Sequence, residues 1–124
     1  MSIQAYQRAS ARAENPREAE YRIFAVVTGD LIRAADRGRA DLTALGYAID
    51  RNRRMWSILA QDCAQEGNAL STGLRAQIIS LSLWVSRHSS AVMRDGEDIT
   101  PLIDVNRSIM QGLAPATVLA TQDA

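Results

Sequence analysis

The sequence predicts an all-α protein, a small bundle of about four antiparallel helices. Three observations carry that reading. Apolar residues recur at steps of three and four along four segments, and glycine or proline stands between those segments. Only 5% of the 124 residues are aromatic while 47% are hydrophobic, a balance that suits a helical protein. A chain of this length is one domain's worth and can bury a real core. Short connections between amphipathic helices then make successive helices antiparallel. The domain is expected to cover residues 1–115, with the Ala/Thr/Gln-rich tail 116–124 disordered.

Asn15-Pro16 is a good helix start, because Asn can cap and Pro at the first helical position gives up no useful donor. Glu18, three residues after Asn15, can bond back to the cap and suits the N-terminal dipole. Phe24, Val27, Thr28, Leu31 and Ala35 then share one face, and Gly38 is the expected terminator. Ahead of this helix, Ile3, Tyr6 and Ala9 also recur at helical spacing, which allows a short additional helix over residues 2–13.

A second helix is expected from about Arg39 to Ala64. Leu42, Leu45, Ile49, Asn52, Trp56, Leu59 and Cys63 alternate steps of three and four, a heptad-like seam for packing against other helices. Asn52 is the one strongly polar residue on that seam. Buried, it must find partners, and it then helps to fix a single register. Glu66-Gly67-Asn68 reads as a turn.

The third segment is ambiguous at first sight. From Ser80 to Ser86 serine and large apolar residues nearly alternate, as in a strand. Yet Leu74, Ile78, Leu81, Val85, His88 and Val92 keep the helical alternation over a much longer stretch, so length decides for helix. Ser71 or Thr72 caps it and Asp95-Gly96 ends it. Thr100-Pro101 opens a fourth helix, whose stripe is Leu102, Val105, Ile109 and Leu113, with Ile103 and Met110 beside it. Gly112 and Pro115 stop it.

Little in this chain could carry out a reaction. Fourteen acidic residues balance fourteen basic ones, all arginine, so no net field draws the chain to nucleic acid or to anionic lipid. The absence of lysine reads first as the composition of a GC-rich genome, although arginine also suits planar ion pairs. The single cysteine, Cys63, excludes an intrachain disulfide and reads as a small buried apolar residue. His88, the only histidine, lies on the apolar stripe and reads as a hydrogen-bonded core or rim residue rather than a base. Asp95, Glu97 and Asp98 fall in a loop without a calcium-loop pattern, and neither a phosphate loop nor a nucleophile elbow is present. No catalytic residue, cofactor or metal is expected. Arg51, Arg53 and Arg54 cluster near Trp56, but Asp50 offsets them and stacking platforms are missing, so direct nucleic-acid binding is not expected. The N-terminus lacks the apolar run of a signal peptide, and no uncharged run reaches the roughly 20 residues that cross a bilayer. The expected location is therefore the cytoplasm, away from the membrane.

What remains is surface. Ile79 and Leu83, one turn apart, point roughly 140–180° away from Leu81 on the third helix. A bundle helix normally keeps that side polar. Ser80, Ser82, Ser86, Ser89 and Ser90 are small enough to let another helix approach, and their hydroxyls can bond to the backbone. Either this helix is central within its own fold, or its second face is a docking surface. Ile79, Leu83, Trp84 and Arg87, with Arg53 and Arg54, are the candidate partner-binding residues, combining apolar area, an aromatic anchor and arginine. Met55, Met93 and Met110 serve either as gap-fillers or as an adaptable contact surface. Asn52, Trp56, His88 and Asn106 are assigned to the structural interior, the two asparagines as bonds across the bundle.

Four stretches in order, "ENPREAEYR" (14–22), "NRRMW" (52–56), "LRAQIISLSLWVSRHSS" (74–90) and "PLIDVNRSIMQGL" (101–113), resemble the FlaF family of flagellar biosynthesis regulators of alphaproteobacteria. The similarity runs from "SIQAYQRA" near the start to Leu113. The family often has a proline ahead of the third helix, where this chain has "NALSTGLR", which puts the cap geometry there in question. The resemblance implies a non-enzymatic cytoplasmic protein that promotes flagellin production and filament assembly. It implies flagellin as partner, engaged in the manner of an export chaperone at one of its helical ends. It also implies a link to FlbT, a regulator that acts on flagellin messenger RNA. An alternative is an adaptor that works mainly through FlbT, with direct RNA binding through Arg51–Arg54 ranked below both. The oligomeric state is left open.

Overall fold

A computed structural model describes the chain over residues 16–113, and within that span every regular element is helical. In order they are α1 (Pro16–Arg37), a 3-10 turn (Gly38–Asp41), α2 (Leu42–Cys63), α3 (Thr72–Asp95) and α4 (Thr100–Leu113). The Asn15 cap, the short helix expected over 2–13 and the tail from Ala116 lie outside the described residues.

Local chemistry sets each boundary. Gly38 takes a left-handed φ of 63°, which ends α1 and turns the chain through the 3-10 segment. The Asp41 carboxylate then accepts the Ala44 N–H at 3.0 Å, so α2 starts three residues later than the sequence predicts. Ser71 caps α3, its hydroxyl accepting the Leu74 N–H at 3.2 Å, and Gly96 closes that helix at φ 73°. Ser71 therefore makes a working cap for α3 without a proline ahead of the helix. At α4 the cap is displaced by two residues. Asp98, not Thr100, supplies the acceptor, taking the Thr100 N–H at 2.9 Å.

The helices form a ring in which each packs on its neighbours in sequence and α1 closes against α4. Pairs across the ring show that successive helices run antiparallel. Asp30 meets Arg51 between α1 and α2, Gly46 meets Met93 between α2 and α3, and Gly112 meets Leu74 between α3 and α4. The most extensive interface joins α2 to α3. Arg75 reinforces it by donating to the carbonyls of Cys63 and Gln65 at 2.8 and 2.9 Å, which would otherwise be open at the C-terminal end of α2.

The expected seams line the interior. Phe24, Leu31, Leu45, Ile49, Trp56, Leu59, Ile78, Val85, Val92, Leu102, Ile109 and Leu113 are all buried. Phe24 meets Trp56 edge-to-face at 5.5 Å and 83°, an arrangement worth about 0.5–1.5 kcal/mol beyond the buried area. Leu42 is the exception: it belongs to the predicted seam of α2 but stands exposed, because the helix has only just begun there. On α1, Ala34 rather than Ala35 is the fully buried alanine. No described helix is long and apolar enough to cross a membrane.

Candidate functional site

The interior holds a polar knot. Asn106 of α4 is completely buried and makes three bonds. Its Oδ1 accepts the Trp56 indole N–H at 2.8 Å, and its Nδ2 donates to Thr28 Oγ1 at 3.0 Å and to Asn52 Oδ1 at 2.8 Å. One side chain thus ties α4 to α1 and α2. Bonds of this kind strengthen in a low dielectric and are costly to leave unmade, so they select one register of α1, α2 and α4. Asn52 Nδ2 is buried with no partner, which makes Asn52 the less satisfied of the two asparagines. With Trp56 turned inward, its indole offers no face for stacking a base beside the arginine cluster.

The outside of α3 reverses that pattern. Ile78, Val85 and Val92 are buried, but Ile79 is 40% and Leu83 69% exposed. Among the described residues, the second apolar face of α3 is therefore not part of the interior. Leu83 lines a groove of about 620 Å³ between α2 and α3, together with Arg53, Arg54, Ser57, Ser82 and Ser86. The serines keep the groove open by being small. Ser82 also turns its hydroxyl onto the Ile79 carbonyl at 2.7 Å, which satisfies it without a partner. Packing brings Leu83 beside Arg53 and Arg54, three of the residues expected to contact a partner.

The arginines of α2 are divided between two aspartates. Asp50 takes Arg53 at 2.9 Å and Arg54 at 3.0 Å, whereas Asp30 of α1 takes Arg33 and Arg51, each at 2.6 Å. Two guanidinium groups against one carboxylate leave the groove rim net positive. Exposed pairs of this sort add little to stability, so the arginines can exchange partners at low cost.

Trp84 and Arg87 sit differently from Leu83. Arg87 is exposed one turn further along the same row, while Trp84 is half-buried against the core and is not among the residues lining the groove. The Trp84 ring stacks on His88 at 5.0 Å and 9°, and His88 Nε2 lies 2.7 Å from the Asp98 carbonyl. Trp84 and His88 thus form a strap from α3 to the start of α4. The Thr100 hydrogen bonds, backbone first, hold the Asp98 carboxyl below its usual range, with His88 adding to the effect.

Among the described residues no group of three or more His, Cys, Asp or Glu could hold a metal ion. Cys63 is buried, and burial, then repulsion from Glu20, pushes its thiol up, away from the nucleophilic thiolate. The sequence reading missed a second groove, between α1 and α2, lined by Glu20, Ile23, Phe24, Met55, Ile58, Leu59 and Asp62. Its signal was present as Met55 and Ile58, an i, i+3 apolar pair, with Ile58 lying off the predicted seam.

Comparison with curated proteins finds no match, and neither does comparison with solved structures. The sequence model of the family described as flagellar protein FlaF matches residues 2–113 of the 124, taking in all four helices and both grooves. The chain belongs to the FlaF family of flagellar proteins.

Proposed function

We propose that this protein acts by binding rather than catalysis, holding unassembled flagellin in the cytoplasm in the manner of an export chaperone. Covering a helical end of flagellin would prevent premature polymerisation and so favour filament assembly. The observation that supports this reading most is the exposed Ile79/Leu83 row beside the groove that Arg53 and Arg54 rim. An apolar ridge with a positive rim fits an amphipathic helix whose flank is acidic, the helix-in-groove mode of recognition. Leu83 is the natural anchor, with Arg87 and the two arginines of α2 at the periphery.

The test is a calorimetric titration of flagellin into the native protein and into Leu83→Asp. Leu83 is exposed, so the variant should fold with an unchanged melting temperature. Loss of an anchor of this kind costs about 2 kcal/mol, so affinity should fall roughly 30-fold. A folded variant that binds flagellin as tightly as the native protein would remove this surface from consideration. Titration with FlbT alone separates the adaptor reading: binding to FlbT without measurable binding to flagellin would replace the chaperone role.

A further inference from the structure

The outer face shared by α1 and α2 carries two hollows of about 150 Å³ each, and their chemistry is opposite. The first lies where α1 begins and α2 ends. Ile23 and Ile58 stand at its mouth, with buried Phe24 and Leu59 beneath, and Glu20 and Asp62 are the charged residues that line it. Glu20 Oε2 is buried with no hydrogen-bond partner among the described residues. Burial, then repulsion from Asp62, pushes the Glu20 carboxyl up. A carboxylate in that position is relieved by a cation. The second hollow lies where α1 ends and α2 begins. Tyr47 borders it, 65% exposed, and Arg33 and Arg37 outnumber Asp30 in its lining. Arg37 is held by Asp41 at 3.3 Å with both side chains in solvent, a pair that exchanges partners at low cost. Four of the seven large apolar side chains exposed among the described residues, Ile23, Val26, Tyr47 and Ile58, belong to this one face. Such a concentration marks a surface that meets another molecule.

We propose that the molecule covering this face is a second copy of the same chain, in a two-fold dimer that sets each acidic hollow against the arginine-lined hollow of the other copy. The face is complementary to itself. A two-fold axis running across both helices lays α1 on α1 and α2 on α2, antiparallel, and so exchanges the ends. Tyr47 then comes level with Ile58 of the second copy, and its ring fills the apolar slot between Ile23 and Ile58 there. Arg37 comes level with Glu20 of the second copy and brings a guanidinium to the Glu20 and Asp62 carboxylates. Tyr47 and Ile58 lie about 16 Å apart along α2, so both pairs of ends meet in one contact. Each interaction is made twice, which closes the assembly as a dimer and leaves no end for an open chain. Charge complementarity of this kind fixes the antiparallel arrangement, because the parallel one would set carboxylates on carboxylates. The groove beside Leu83 lies on the α3 side of α2 and shares no lining residue with either hollow, so the dimer leaves it open.

Sedimentation equilibrium on the full chain at micromolar concentration tests the proposal without any partner protein. The native protein should show a mass of twice 13.6 kDa. Tyr47→Glu and Ile58→Asp should each raise the dissociation constant at least about 30-fold, the loss expected when a central anchor goes. Both side chains are exposed, so an unchanged melting temperature shows that the bundle is intact. Arg37→Glu and Asp62→Arg should each weaken the dimer about tenfold by setting like charges together, and the double variant should restore it. A native protein that stays monomeric would overturn the proposal. So would Tyr47→Glu and Ile58→Asp proteins as dimeric as the native one, or a charge-swapped double variant weaker than either single change. Weaker flagellin binding by Ile58→Asp, with no dimer in the native protein, would assign the slot to flagellin instead.

Discussion

Two regions of the molecule invert the usual rule that polar residues lie outside and apolar residues inside. At the centre, Asn106, Asn52 and Thr28 are buried among Trp56 and the aliphatic core. On the outside of α3, Ile79 and Leu83 are open to solvent. Both departures have a cost, desolvation in one case and exposed apolar area in the other. The difference lies in what offsets it. At the centre every polar atom of the Asn106 side chain is bonded, though Asn52 Nδ2 is not, so the return is a unique packing of this chain. On α3 no helix of the described residues packs over the ridge, so the return is sought in the proposed binding of another molecule. On the proposed reading stability and binding rest on different residues, and substitutions should separate them.

The largest effect is expected at the centre. Asn106→Ala removes three hydrogen bonds and leaves the buried Trp56 indole N–H without an acceptor. Loss of a buried network of this kind should cost about 3 kcal/mol in a denaturant titration. The protein is then expected to bind flagellin normally for as long as it remains folded. Leu83→Asp is its mirror image. Stability should change by no more than about 0.5 kcal/mol, as for an exposed site, while flagellin affinity falls. If Leu83→Asp lowered stability as much as Asn106→Ala, the ridge would be part of the fold and the contrast would fail.

Asn52→Ala sharpens the central half of the comparison. Asn52 accepts one bond from Asn106 and its own Nδ2 has no partner, while Asn106 Nδ2 keeps Thr28 when Asn52 is lost. The cost should be about 1 kcal/mol, clearly below that of Asn106→Ala. The double variant should lose less than the sum of the two, because both changes break one shared bond. An unchanged melting temperature for Asn52→Ala would deny it any role in setting register.

Much of this was legible in the sequence, for reasons that differ from place to place. Gly38, Ser71 and Gly96 marked helix ends because each meets a local backbone need that no distant contact alters. The seam from Leu45 to Cys63 was legible because burial repeats with the helix. Leu42 fitted the same period and is exposed, since periodicity does not say where a helix begins. The expected cap at Thr100 moved to Asp98, because two neighbouring residues could each supply an acceptor and only the chain path decides between them. The apolar pair Ile79 and Leu83 was visible, but whether it was internal depended on how α2 and α4 pack around α3. The same packing places Leu83 beside Arg53 and Arg54, thirty residues or so away along the chain, and opens the slot at Ile23 and Ile58. Contacts between helices carry no local signal, so grooves are the part that a single sequence conceals.

The smallest expected effect separates Trp84 from Leu83, its neighbour on α3. Trp84 and His88 form a strap that ends on Asp98, so their row belongs with the structural centre rather than with the ridge. Asp98 lets this be read through pH. Its folded pKa is lowered by the Thr100 hydrogen bonds, so between the folded and unfolded values the unfolded chain binds more protons. The stability it contributes is complete above the ordinary aspartate range and is lost as pH falls through the lowered value. Asp98→Asn keeps an acceptor for the Thr100 N–H but cannot titrate, so its melting temperature should fall less steeply on acidification than that of the native protein. Flagellin affinity near neutral pH should be the same for both. Parallel acid profiles would mean that Asp98 does not anchor the start of α4, and reduced flagellin binding would move the strap to the partner surface beside Leu83.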